Sequence, residues 1–233
     1  MITFNGKEET DIDEDIRLVD RQLTAPTKKK IKDTVPFMSG YYDFSTVGSG
    51  GEIVYDNRQI QCKFGIKGKS KQDLQNKYNK FLRWIYDVGQ SQLQFDDKPG
   101  IFFMAEVERE PTWKETFLYG ESTVTFICEP FAEGNTFYGE LLWDDIDFDL
   151  PDYIEETSFT ITGSQTVTIY NPGKPVVPDV IVSSNMSCTL NSYTANFTTS
   201  NSKDPLFRLL SGSNTISVTG NGIIDFNFRK VVL

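Results

Sequence analysis

The chain has 233 residues, with 23 Lys+Arg against 33 Asp+Glu, no histidine and three cysteines, for a formal net charge of −10. Without histidine, neither a Ser-His-Asp or Cys-His nucleophile nor a His-ligated zinc or haem site can be built. The acidic balance argues against a surface that grips nucleic-acid phosphates, whereas carboxylate-only catalysis of the glycosidase kind stays open.

The chain opens Met1-Ile2-Thr3-Phe4-Asn5-Gly6 and runs straight into Glu8–Asp15, which holds six acidic residues in eight. That is not the basic start and apolar run of a signal peptide. No window approaches the ~18 apolar residues of a membrane span. Lys28-Lys29-Lys30-Ile31-Lys32 follows as the main basic cluster, read less as a nucleic-acid contact than as a solvated loop or arm that meets acidic surface on a neighbouring subunit or another protein of the same assembly. Tyr41-Tyr42-Asp43-Phe44 and Glu52-Ile53-Val54-Tyr55 suggest two strands joined by a glycine-rich tip at 48–51, either a projecting hairpin or one packed on its own domain.

Ile60, Cys62, Phe64 and Ile66 alternate with polar residues as in a half-buried strand. Ser70 can cap a helix, with Asp73 three residues on, and Leu74, Tyr78, Phe81, Leu82 and Ile85 recur at helical spacing before Gly89. This predicts one clear helix over about 70–88, lying on a sheet. Gln90–Phe95 and Ile101–Glu108 read as strands around an Asp/Pro/Gly turn, and Pro111 and Trp113 break the pattern. Val124, Phe126 and Cys128 share one face of a closing strand. Residues 1–130 therefore read as a β-rich α+β domain.

Residues 131–156 read as a connector, with eight acidic and no basic residues between Glu140 and Glu156. Asp144, Asp145, Asp147 and Asp149 are hard oxygen ligands but lack EF-hand spacing, so a solvated acidic face is expected and no metal. Its aromatics, Phe137, Tyr138, Trp143, Phe148 and Tyr153, suggest that it packs somewhere.

Residues 157–233 turn rich in Ser, Thr and Asn and poor in charge. Short alternating segments (158–162, 166–170, 180–182, 193–198, 215–218, 222–228) are separated by Gly/Asn/Pro stretches. That pattern predicts an antiparallel β-sandwich of the jelly-roll or galectin-like class. The fold as a whole is expected to be mainly β. The cysteines have no CxxC pairing, and Cys62 and Cys128 sit at inward strand positions. They read as buried reduced thiols, which suits synthesis in a reducing cytoplasm. The sequons at Asn185 and Asn196 read as chance matches.

Several motifs in order resemble the siphophage distal tail protein family. They are Thr3-Phe4-Asn5-Gly6, Gly40-Tyr41-Tyr42, Tyr55-Asp56-Asn57-Arg58-Gln59-Ile60, Gly68-Lys69-Ser70 and Phe81-Leu82-Arg83-Trp84-Ile85. Leu93-Gln94-Phe95-Asp96-Asp97, Ile169-Tyr170-Asn171-Pro172-Gly173 and the stretch Leu206–Ile216 continue the likeness over nearly the whole chain. The resemblance implies a structural, non-enzymatic tail-tip protein of a phage or prophage. Six copies would form a hub ring with a channel for DNA, or twelve copies in isolation, and the acidic charge read above is expected to let DNA pass without binding. It also implies a tail tube protein, a tail-associated adhesin or lysin and a receptor-binding protein as partners. The protein would be made in the host bacterial cytoplasm and carried at the virion tail tip, and no cofactor is implied. The candidate subunit-contact residues are Lys28, Lys29, Lys30, Tyr41, Tyr42, Tyr55 and Arg58. Two other readings are a carbohydrate-binding module that grips cell-wall saccharide through Tyr153, Tyr170 or Tyr193, and a glycosidase.

Overall fold

A capping pair opens the main helix in the computed structural model, which describes residues 1–49, 51–140 and 156–233. The Asp73 N–H donates to Ser70 Oγ at 3.1 Å, and the Lys69 N–H donates to Asp73 Oδ2 at 2.7 Å, so two otherwise unpaired donors are satisfied. The helix runs Lys71–Ile85. It ends earlier than Gly89 because the Tyr86 and Asp87 N–H groups both close on the Leu82 carbonyl, which needs no left-handed glycine.

The chain divides into two units, Met1–Ala132 with Leu233, and Glu133–Val232. The first carries β1 (Ile2–Phe4), β2 (Lys7–Glu8), α1 (Glu9–Ile12), β3 (Ile16–Leu23), β4 (Lys32–Asp33) and β5 (Tyr42–Asp43). It continues through β6 (Arg58–Lys67), α2 (the helix above), β7 (Ser91–Phe95), β8 (Ile101–Glu106), β9 (Thr112–Thr116) and β10 (Tyr119–Cys128). Its antiparallel sheet has the order β2-β1-β7-β8-β10-β6-β3, with β9 on β10. Asn5 and Gly6 both take positive φ, 51° and 69°, in the two-residue turn joining β1 to β2.

Alternation decides which face of this sheet is buried. Ile60, Cys62, Phe64 and Ile66 of β6 and Val124, Phe126 and Cys128 of β10 are all fully buried. Leu74, Phe81 and Ile85 of α2 turn inward with them, joined by Trp84. Phe64 meets Phe81 edge-on at 5.0 Å, and Trp84 Nε1 donates to the Phe4 carbonyl at 3.0 Å, which ties α2 to β1. Tyr78 and Leu82 are only half-buried. Thr112–Thr116, expected to be a break, is a strand. Trp113 lies on Tyr78 at 4.0 Å between ring centroids, in the space left by Gly120, whose added Cβ would be 1.8 Å from that indole.

Lys77 is the polar exception on the buried face of α2. Its Nζ stands 2.5 Å from Asp15 Oδ2, 3.1 Å from Asp73 Oδ2 and 3.0 Å from the Lys67 carbonyl. Asp13, 3.7 Å away, is shared with Lys80 at 3.1 Å. The hydrogen bond from Lys77 holds the Asp15 carboxyl below its ordinary range, and the Lys69 N–H followed by Lys77 does the same for Asp73. The lysine thus pins the acidic segment before β3 onto the helix. Part of that segment is α1, a four-residue helix.

The second unit holds β11 (Ala132–Phe137), β12 (Ser158–Asn171), β13 (Asp179–Val182), β14 (Met186–Leu190), β15 (Tyr193–Phe197), β16 (Gly212–Asn227) and β17 (Arg229–Val232). Part of the expected connector is therefore a strand. β11 pairs with β17, and Tyr138 lies in the core of this unit. The calcium-type aspartates 144–149 lie outside the described residues.

The main sheet has the order β12-β16-β14-β15, with β13 also on β16. What reads as two pairs of short strands is one long ladder, Ser158–Asn171 against Gly212–Asn227. Gly163, Gly220 and Gly222, at φ 73°, 152° and 129°, sit where β14 gives way to β13 along β16. Gly220-Asn221-Gly222 reads as a separator, but together with Gly163 it places a corner within continuous strands. Ile161, Val182, Ile224 and Phe226 on one side of the corner and Ile169, Cys188, Ile216 and Val218 on the other fill a single core. Phe207 joins the two groups, 5.3 Å from Phe197 and 6.5 Å from Phe226 between ring centroids. A sheet folded over its own apolar face makes the two-layered core. All three cysteines are free and buried, and burial pushes each thiol up to about 12.

Candidate assembly surface

Six of the seven candidate contact residues fall in one excursion between β3 and β6, residues 24–57, and the seventh, Arg58, is the first residue of β6. Its middle strand is the lysine-rich segment, which pairs on both sides. On one side Lys28 bridges Tyr55, the Lys29 N–H donates to the Val54 carbonyl and the Asp56 N–H donates to Thr27, both at 2.8 Å. On the other, β4 pairs with β5, and the Phe44 N–H donates to Ile31 at 2.8 Å. The two tyrosine-rich segments expected to pair with each other instead flank this third strand. Hydrogen-bonding capacity explains the arrangement, since a central strand satisfies its backbone on both edges.

Lys30 Nζ lies 3.0 Å from Asp43 Oδ2, and Lys32 Nζ sits 3.9 Å from the centre of the Tyr41 ring. The Ser45 hydroxyl and N–H first, and then Lys30, hold the Asp43 carboxyl far below its ordinary range. Lys28 and Lys29 have no ion-pair partner among the described residues, and both are exposed.

The excursion leaves much apolar surface in water. Ile31, Val35, Tyr41, Tyr42 and Ile53 are each about half exposed, Val47 is 75% exposed and Phe37 wholly so. Phe37 also takes the left-handed φ of 68°. A bulky side chain is both strained there and without packing to compensate. Phe117, between β9 and β10, repeats the combination with φ 53° and 77% exposure. Nothing in the sequence marks either position, because left-handed backbone is ordinarily signalled by Gly or Asn.

Tyr55 and Arg58 lie at the root of the excursion. Tyr55 is half-buried, edge-on to Phe131 at 5.5 Å. Arg58 is 9% exposed, with its guanidinium 5.2 Å from the Phe103 ring centre, and burial lowers its value. Both face their own unit, whereas Lys28, Lys29, Tyr41 and Tyr42 face solvent.

The tyrosines of the saccharide reading are placed differently. Tyr193 packs against the core of the second unit and its hydroxyl donates to Asp204 Oδ2 at 2.8 Å. Tyr170 is half-buried, and Tyr153 lies outside the described residues. No helix among the described residues is long and apolar enough to cross a membrane.

Residues 14–128 match the family described as phage tail protein RIFT-related domain. The crystal structure of the SPP1 Dit protein, described as a paradigm of the hub adsorption apparatus in phages infecting Gram-positive hosts, superposes with a TM-score of 0.65 at 13% identity. The match covers 100% of this chain and 98% of that one, and at this identity it speaks for the fold. No curated protein matches the chain.

Proposed function

We propose that this chain, whose residues 14–128 match the phage tail protein RIFT-related domain, is a component of the virion tail and serves there as a hub subunit. In this reading six copies close into a ring between the tail tube and the adhesion or baseplate components. A tail-associated adhesin or lysin and a receptor-binding protein are the partners on the far side, and DNA passes through the channel. The formal charge of −10 per copy supports passage without retention, since an acidic lumen repels phosphates.

The observation that carries the proposal is the 24–57 excursion. A short three-stranded element presents unpaired lysines and exposed aromatics instead of covering them. Apolar side chains surrounded by charge are the anatomy of an interface waiting for its partner. The fold shared with a hub protein along the full chain fits the same reading. Light scattering on the purified chain tests it. A mass of six or twelve copies of the 26.5 kDa chain is expected, and a monomer at every concentration would refute it.

A further inference from the structure

We propose that the outer edge of β12 is a two-fold pairing site, at which a second copy of this chain adds its own β12 in antiparallel.

Among the described residues β12 pairs only with β16, so its other edge offers a row of backbone donors and acceptors. Edges of this kind are ordinarily blunted by charge, proline, shortness or a covering element. This one runs for 14 residues, Ser158–Asn171, without a charged residue or a proline. Its Thr, Ile and Val content favours extended backbone.

The sequence of that edge names the occupant. About Ser164 it reads nearly the same in both directions: Thr162 and Thr166, Ile161 and Val167, Thr160 and Thr168, Phe159 and Ile169. A two-fold axis through Ser164 sets each residue opposite its counterpart. Thr160, Thr162, Thr166 and Thr168 are exposed, while Ile161, Val167 and Ile169 are buried in the core. The pairing therefore brings threonine to threonine on the outer face and keeps apolar residues together on the inner one. Sliding the register by one residue would oppose threonine to isoleucine and reverse the faces.

Two further features fit self-pairing. A two-fold contact sets every charge near its own copy, so an uncharged edge has nothing to repel. The corner glycine, Gly163, lies beside the centre of symmetry, so both strands turn at the same place and the ladder continues on both sides of the bend. The pairing goes beyond the hub reading and does not depend on it. Arm variants that break the ring would leave it intact as a dimer.

The test uses the full chain. Thr162→Lys with Thr166→Lys places like charges opposite each other across the axis, and the particle mass by light scattering is expected to halve. Thr162→Lys with Thr166→Glu places opposite charges there and is expected to keep the wild-type mass. Circular dichroism and thermal unfolding of each variant report whether the fold persists. Equal masses for wild type and both variants, or a halved mass for both, would overturn the pairing. A second measurement stands independently of these variants. Ser164→Cys treated with a short bis-maleimide is expected to give linked pairs of chains, since the three native thiols are buried. No linked pairs, or as many from Ser217→Cys on β16, would overturn it.

Discussion

Arg58 Nε donates to the carbonyl of Thr24 at 3.1 Å, across the neck where the excursion leaves β3 and rejoins β6. The Thr24 N–H returns to the Gln59 carbonyl at 3.4 Å, so both chains of the neck are tied at one level. A buried guanidinium at this place gives the exposed part a fixed origin.

Arg58→Met should therefore loosen the root while leaving the sheet intact. Losing one charge-assisted hydrogen bond costs about 1.5–3 kcal/mol. The expected result is a lower unfolding midpoint and faster proteolysis within 24–57. An unchanged midpoint and digestion pattern would remove Arg58 from this role.

Phe37 separates stability from assembly. Glycine accepts its φ of 68° without the penalty of a Cβ, about 1–2 kcal/mol for left-handed backbone. Phe37→Gly should leave the isolated subunit at least as stable and lower the share of chains in large particles. Unaltered assembly of this variant would mean that the aromatic does not serve the interface.

Lys77 sets an acid limit. Asp15 and Asp73 are both held low in the folded state, so their contribution is whole above the unfolded carboxyl value of about 3.9. It is lost as the pH falls through the lowered folded values. The unfolding midpoint should be flat from neutral pH to about 5 and drop steeply below 4. Lys77→Met should be less stable at neutral pH and show a shallower acid drop. Parallel pH profiles for the two proteins would contradict the clamp.

These examples mark where the sequence is legible. α2 could be read because Ser70, Asp73 and the apolar row are local signals. Lys77 could not, because its burial depends on Asp13 and Asp15, which belong to another element. The folded sheet of the second unit was half legible. The alternation along 158–171 and 212–227 gave the buried face, but Gly163 and Gly220–Gly222 send the same signal for a turn between strands as for a corner within one. At the assembly surface, the sequence located the lysines and tyrosines but not the middle-strand pairing, which joins Thr27–Asp33 to two segments at once. Arg58 carried no sign that its charge is turned inward.

The lysine cluster yields a charge prediction. Replacing Lys28, Lys29, Lys30 and Lys32 with glutamate should shift purified protein from large particles toward pairs of chains. Wild-type assembly should weaken at high salt, because exposed pairs are screened beyond roughly 10 Å at 0.1 M. Assembly of the variant at the wild-type level would exclude electrostatic docking by this strand.

The most direct test of the central claim is electron microscopy of the purified chain at several concentrations. Hollow annular particles with sixfold rotational symmetry are expected. Solid particles of single-chain size at every concentration would contradict the claim that this protein works by fitting beside copies of itself.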